Sequence, residues 1–224
     1  MRRFVRDNAL SLFFLVIFVV ALAGQSLAGN AAYNEQQVVD GGAPVSWASY
    51  VTSSDFAVDV AENWQSEYLQ FLLFILVTVW LVQRGSPESK QMGEEGAGSD
   101  ADQQVGRYAP ERAPSWAKGT GLRPWLYGRS LGMVMGAVFA LSWLAQWVAG
   151  TASHNAERLA RLQDPVSALG YLGSPDFWNR TLQNWQSEFL AVLSMVVLSI
   201  YLRQRGSPES KPVGAPHQET GEEN

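Results

Sequence analysis

Two polar clusters contain the residues of this chain best suited to chemistry. Each cluster pairs an asparagine with a glutamate four positions later, one turn apart on a helix face, and adds a glutamine from a separate apolar segment. The clusters are Gln25, Asn63 and Glu67, and then Gln146, Asn184 and Glu188. Carboxylates with amide partners beside apolar helices can bind a proton, a cation or a polar substrate.

A second interpretation of these clusters involves no chemistry. Each asparagine and glutamate belongs to an Asn-Trp-Gln-Ser-Glu segment, at residues 63–67 and 184–188. Such a segment can begin a helix, with its acid stabilised by the helix dipole and its tryptophan anchored at a membrane interface. The sequence leaves both interpretations open.

Four apolar segments must position these residues. Residues 9–24 and 130–150 are long enough to cross a bilayer core of roughly 30 Å, because each residue of a helix rises about 1.5 Å. Residues 68–82 and 189–202 are shorter, so each needs help from its flanks to cross. The four segments together predict an all-α membrane protein with four transmembrane helices.

The chain repeats itself at an offset of 121 residues, from about residue 10 to 90 against 131 to 211. The segment Gln-Arg-Gly-Ser-Pro-Glu-Ser-Lys occurs at 83–90 and again at 204–211. We call it the QRGSPESK motif and refer to its first and second copies. The repeat predicts two tandem two-helix units in the same orientation, as in parallel repeats of membrane proteins.

Composition sets the boundaries of these units. The linker and the tail are rich in Gly, Ser, Pro, Glu and Asp and lack periodic hydrophobicity, which is typical of disordered segments. The predicted segments are 1–84, the first two-helix unit; 85–123, a disordered cytoplasmic linker; 124–205, the second two-helix unit; and 206–224, a disordered cytoplasmic tail.

The positive charges indicate the orientation. Of the 16 Lys and Arg residues, only Arg158, Arg161 and Arg180 fall in the predicted outer loops. Cytoplasmic segments carry the excess of Lys and Arg, so both termini are expected in the cytoplasm. An alternative makes residues 1–28 a cleaved signal peptide and leaves three spans. The equivalent of that segment, residues 130–150, lies in the middle of the chain, which favours four spans.

The residue types exclude several classes of function. The chain contains no cysteine, which excludes disulfides, thiolate metal sites and a cysteine nucleophile. Its net charge is -5 and its cations lie beside apolar runs, so we expect no nucleic-acid partner. The two histidines, His154 and His217, are isolated in the sequence. We therefore expect no enzyme, no cofactor and no metal.

Small residues recur every four positions in the third apolar segment, at Gly128, Gly132, Gly136 and Ala140. This spacing lets another helix approach closely in a bilayer. The partner is either another helix of the same chain or a second copy in a homo-oligomer, and the sequence leaves both open.

The motifs carry a resemblance. Asn-Trp-Gln-Ser-Glu-Phe-Leu, an apolar run and then the QRGSPESK motif resemble a bacterial family of small membrane proteins known only as a domain of unknown function. The first unit departs from the pattern, with Tyr68 in place of Phe189 and Val82 in place of Arg203. The resemblance implies a bacterial inner membrane and no activity.

These observations together predict a multi-pass protein of the cytoplasmic membrane whose partner is the lipid bilayer. We expect a structural or envelope-stress-linked membrane component. The alternative is a small proton- or cation-coupled transporter or channel that uses the clusters around Glu67 and Glu188. Packed, dry helices would favour the first function, and a water-filled path between the clusters would favour the second.

Overall fold

The computed structural model describes residues 2–220 of the chain, and its regular elements are helices, with no strand among those residues. In chain order they are α1 (Arg2–Asp7), α2 (Ala9–Val39), α3 (Trp47–Val51), α4 (Ser54–Val77), α5 (Leu122–Tyr127), α6 (Ser130–Ala160), α7 (Ala168–Leu172) and α8 (Pro175–Tyr201). A short 3₁₀ helix lies at Gly106–Tyr108.

Helices α2 and α6 are long and apolar enough to span a membrane. Each has 31 residues, or about 46 Å at 1.5 Å per residue. Of the most apolar 18-residue window in each, only 6% and 11% is buried. A core helix of a soluble protein packs its apolar face against other elements, whereas these faces are exposed. This exposure favours a membrane protein.

Helices α4 and α8 begin 14 residues before the apolar segments predicted for them. The reason is a serine at each start, because Ser53 accepts a hydrogen bond from the Phe56 N–H and Ser174 from the Phe177 N–H. The Asn-Trp-Gln-Ser-Glu segments therefore lie inside helices, and the interpretation that they begin a helix is wrong. Helix α4 also ends at Val77, five residues earlier than predicted.

The chain divides into two compact units. Unit 1 contains the residues up to Ala61 together with Leu144–Phe177, and unit 2 contains Glu62–Trp143 together with the residues from Trp178 onward. Unit 1 therefore includes α2, α3, α7 and the end of α6. Unit 2 includes most of α4 and α8, the start of α6 and the QRGSPESK motifs.

In unit 1 one asparagine on each long helix binds the loop that follows. The Asn34 side chain on α2 accepts a hydrogen bond from the Val45 N–H at 2.7 Å and donates one to the Val45 carbonyl at 3.0 Å. Asn155 on α6 makes the same two bonds with Val166, at 2.8 and 2.9 Å. These bonds satisfy the backbone where the chain turns toward α3 and α7.

In unit 2 the small residues of α6 face α4. A methyl group added at Gly132 would lie 3.6 Å from Leu76, and one added at Gly136 would lie 3.7 Å from Leu72. Both are ordinary contact distances, so these two glycines of α6 have a partner helix within the chain. Gly128 lies outside α6, because it is the C-cap residue that follows α5. A second copy of the chain on this face stays a prediction.

The linker and the tail carry local hydrogen bonds despite their composition. Ser99 and Asp102 bond to each other, and the Gly106 N–H donates to the Ala117 carbonyl at 2.8 Å. Helix α5 then leads into α6. The disorder expected for these segments stays a prediction beside this local structure.

Candidate functional site

The polar cluster residues of the sequence divide between the two units. Gln25 and Gln146 belong to unit 1, where Gln25 is half-buried and Gln146 is fully buried. The other four belong to unit 2, namely Asn63, Glu67, Asn184 and Glu188.

On α4 the two cluster residues that the sequence singled out are exposed. Asn63 and Glu67 are exposed, whereas Gln65 and Ser66 between them are buried. The structure therefore buries Gln65 and leaves Glu67 exposed. The buried positions follow the helical period from Ala61, which is the signal that could have identified Gln65.

Gln65 is the most constrained polar group of unit 2. Its side chain is 0% exposed, and its Oε1 accepts a hydrogen bond from the Trp185 indole N–H at 2.8 Å. Its Nε2 is buried and has no hydrogen-bond partner among residues 2–220. Trp185 lies in the second Asn-Trp-Gln-Ser-Glu segment, so a tryptophan of one segment binds the glutamine of the other.

On α8 the predicted residues are half-buried. The Asn184 side chain donates to the Arg180 carbonyl at 2.9 Å, and Glu188 lies within electrostatic range of Glu67. Arg180 also forms an ion pair with Glu62 of α4 at 3.1 Å. The residues of α4 and α8 therefore form one polar zone of unit 2, held by the Glu62–Arg180 pair and the Gln65–Trp185 bond.

Unit 1 holds two aromatic clusters at equivalent positions. In the first, Tyr33 stacks near Tyr50, with ring centroids 5.5 Å apart, and Tyr50 packs on Phe56. In the second, His154 takes the place of Tyr33, 5.2 Å from Tyr171, which packs on Phe177. Both Tyr50 and Tyr171 are almost fully buried.

A glycine on each long helix makes room for these tyrosines. A methyl group added at Gly150 would lie 2.6 Å from the Tyr171 hydroxyl oxygen. One added at Gly29 would overlap the Tyr50 hydroxyl oxygen in the same way. Only a glycine permits this approach of a tyrosine to the helix backbone.

The histidines are not isolated in the structure. His154 lies 3.8 Å from the Asp176 carboxylate, which also accepts a hydrogen bond from the Tyr171 hydroxyl at 3.0 Å. The His217 Nδ1 lies 3.0 Å from the Ile200 carbonyl oxygen. Among residues 2–220 no group of three or more His, Cys, Asp or Glu side chains is arranged to hold a metal ion.

The two copies of the QRGSPESK motif fold into the same turn. Gly85 and Gly206 adopt left-handed conformations, with φ of 86° and 81°. The Ser89 hydroxyl accepts a hydrogen bond from the Gln83 N–H at 2.8 Å, and Ser210 does the same for Gln204 at 2.9 Å. Helices α4 and α8 end before the motif, at Val77 and Tyr201, so the glycines shape the turn and do not end the helices.

The motif copies differ in the contacts of their lysines. The Lys211 ammonium is buried and donates to the Gly85 carbonyl of the first copy at 2.6 Å. Burial first, and then the charge of Arg203, lower the pKa of Lys211. The Lys90 ammonium donates to the Gly96 carbonyl of the linker. The second copy therefore binds the first, and the first binds its own loop.

A cavity of about 490 Å³, wide open to solvent, is lined by both motif copies. Its walls include Pro87, Glu88 and Lys90 from the first copy and Pro208 and Glu209 from the second. Burial, followed by the charge of Glu209 and a hydrogen bond to it, raises the pKa of Glu88. The neighbouring carboxyl group therefore disfavours the charged form of Glu88.

Comparison with known proteins identifies a family for this chain. A family model described as a domain of unknown function (DUF6766) matches residues 1–222 of the chain. No curated protein matches. No solved structure matches either.

Proposed function

We propose a structural function for this chain, which belongs to the DUF6766 family, a domain of unknown function whose description assigns no activity. The chain is a bacterial inner-membrane protein with four transmembrane helices, arranged as two tandem two-helix units. Its termini and both motif copies lie in the cytoplasm. Its role is structural: it brings cytoplasmic segments together at the membrane surface.

The contact between Lys211 and Gly85 is the observation that carries this proposal. These residues follow α8 and α4, and they are 2.6 Å apart between the ammonium nitrogen and the carbonyl oxygen. Two helices whose following segments touch must end on the same side of a membrane. This supports an even number of crossings between them, as two tandem hairpins require.

The matched contacts of unit 1 support the two-helix unit. Asn34 and Asn155 bind their loops with the same pair of hydrogen bonds, and Ser46 and Ser167 begin the short helices that follow. Residues 121 positions apart therefore perform the same local task. Equivalent helices in both halves are the simplest cause of such matched loops.

The polar zone of unit 2 favours a structural role over transport. Glu62 and Arg180 neutralise each other in an ion pair, and Gln65 binds Trp185. Asn63 and Glu67 are exposed on α4. These contacts fix helices against each other, which is what a scaffold in the membrane needs.

Reconstitution into liposomes tests this function. Purified protein in vesicles loaded with a pH-sensitive dye, under an imposed proton gradient and then a potassium gradient, is expected to dissipate neither gradient faster than empty vesicles. The protein is also expected to leave the membrane only with detergent. Extraction by alkaline carbonate, or a flux above that of empty vesicles, would contradict the proposal.

A second candidate function rests on Glu67 and Glu188. Their electrostatic proximity fits a proton- or cation-coupled transporter or channel. In that case a flux in liposomes would fall in Glu67→Gln and Glu188→Gln proteins. Glu94→Gln on the linker is the matched control, because it removes an exposed carboxylate that is not part of α4 or α8.

A further inference from the structure

The tail beyond α8 is bound to the first motif copy at several points. The Gly85 N–H donates to the Thr220 hydroxyl at 2.8 Å, and the Gly85 carbonyl accepts from Lys211. A methyl group added at Gly85 would overlap the His217 carbonyl oxygen. The backbone of a single glycine is therefore enclosed by residues 126 to 135 positions later in the chain.

Lys211 also organises the tail itself. Its ammonium donates to the carbonyls of Pro216, His217 and Glu219, at 3.1, 3.2 and 2.9 Å. Lys211 is only 4% exposed. A buried ammonium is stable only where its donors are satisfied, and four carbonyls surround this one. The lysine thus binds three carbonyls of the tail and links the tail to Gly85.

A second cation holds the same segment. The Arg203 guanidinium donates to the Ala215 carbonyl at 3.0 Å and to the carbonyl of Ser199 at the end of α8 at 3.1 Å. The first two-helix repeat has Val82 at the equivalent position, so only the second repeat can make this contact. The tail is therefore tied to its own helix and to the first motif copy.

Lys90 of the first copy and Gly206 of the second copy, the equivalents of Lys211 and Gly85, take no such part. Lys90 reaches Gly96 within its own linker. A methyl group at Gly206 would meet no atom of the described part of the chain within 4 Å. Identical motif sequences thus play different roles: the first presents its glycine, and the second supplies its lysine and the tail.

We propose that residues 211–220 are an intramolecular latch, in which the second motif copy and the tail grip the turn at Gly85 of the first copy. Closing the latch brings Pro208 and Glu209 beside Pro87 and Glu88 and so forms the cavity that both copies line. Releasing it separates the two copies and opens this face. The latch needs only that the segments after α4 and α8 share a compartment, so it is testable apart from the structural role.

The absence of native cysteine makes a distance measurement direct. Spin labels on Gln91→Cys and Gln218→Cys, both exposed positions, report the separation of the first motif copy from the tail by pulsed electron resonance in nanodiscs. The parent protein is expected to give one narrow distance distribution. Lys211→Met, Gly85→Ala and the milder Thr220→Val are expected to broaden it toward longer distances.

Two control variants separate the latch from general effects. Lys90→Met removes the same side chain from the first copy, and Gly206→Ala introduces the same backbone strain without meeting the tail. Both are expected to keep the narrow distribution. Equal distributions in all five variants would overturn the latch, and so would equal broadening in all five. Tryptophan fluorescence melts of each variant identify any that fail to fold.

Discussion

The close approach of Tyr171 to Gly150 gives a prediction whose size follows from the structure. In Gly150→Ala the new methyl group would lie 2.6 Å from the tyrosine hydroxyl oxygen and 2.9 Å from a ring carbon. Real side chains do not approach so closely, so the ring must move. Tyr171 is 0% exposed and its hydroxyl donates to Asp176, which leaves it little room.

Gly136→Ala on the same helix is the matched control. Its methyl group would lie 3.7 Å from Leu72, an ordinary contact. Both substitutions gain the roughly 1 kcal/mol by which alanine exceeds glycine in a helix interior. Overpacking a well-filled site costs about 1–3 kcal/mol, so the free energy of unfolding of the two variants should differ by about that amount.

Thermal unfolding in detergent, followed by tryptophan fluorescence, measures this difference. A change of 1 kcal/mol shifts the melting temperature of a chain of this size by roughly 2–4 °C, so Gly150→Ala should melt about 2–12 °C below Gly136→Ala. Adding Tyr171→Phe removes the hydroxyl overlap and leaves the ring contact, so it should recover part of the loss. Equal melting of Gly150→Ala and Gly136→Ala would refute the close approach.

Three further predictions concern other contacts. The pKa of Glu88 is raised in the folded protein, so its contribution to stability is present below the ordinary carboxyl pKa and is lost as pH rises through the raised value. Melting temperatures between pH 4.5 and 8 should therefore fall with rising pH, and Glu88→Gln should flatten that slope; an unchanged slope would contradict the raised pKa of Glu88. Asn34→Ala removes the partner of the Val45 N–H, although the Val45 carbonyl keeps the Asn30 side chain at 3.4 Å, and Asn155→Ala removes both bonds to Val166. Each should lower the free energy of unfolding by about 1–3 kcal/mol, with the smaller loss for Asn34→Ala; unchanged melting of either variant would contradict these bonds. Gly132→Leu should collide with Leu76 and lower the free energy of unfolding by about 1–3 kcal/mol, whereas Gly132→Ala should be tolerated. Equal stability of the two variants would contradict the packing of Gly132 against Leu76.

The starts of the long apolar helices could be predicted from the sequence, and their ends could not. Helices α2 and α6 begin at Ala9 and Ser130, where the apolar runs begin. They continue to Val39 and Ala160 through polar residues that hydropathy does not count. Helical hydrogen bonding extends past the apolar stretch, because a polar helix is stable when it grows from an existing one.

The starts of α4 and α8 carried a signal that hydropathy misses. Ser174 precedes Pro175 at the first helical position, and Asp176 lies in the first turn, a pattern typical of a helix N-terminus. Ser53 and Asp55 provide most of the same pattern in the first unit. Capping residues therefore indicate the starts of these helices better than the apolar runs do.

The candidate site depended on helix phase and on contacts between distant residues. The Asn-Trp-Gln-Ser-Glu segments were visible in the sequence, but which residue faces inward depends on the rotation of α4, which buries Gln65 and exposes Glu67. The latch could not be predicted, because the two motif copies are identical from Gln83 to Lys90 and no local feature assigns Lys211 to Gly85. The folded chain shows which lysine binds which glycine.

The sidedness of the linker and the tail tests the central claim most directly. Single cysteines at Gln36, Gln91, Gln163 and Gln218, in a chain that otherwise has none, can be labelled in intact bacterial cells with a membrane-impermeant maleimide. Two tandem hairpins with cytoplasmic motifs predict labelling at 36 and 163 and protection at 91 and 218 until the cells are lysed. Labelling of 91 and 218 from opposite sides of the membrane would contradict the account.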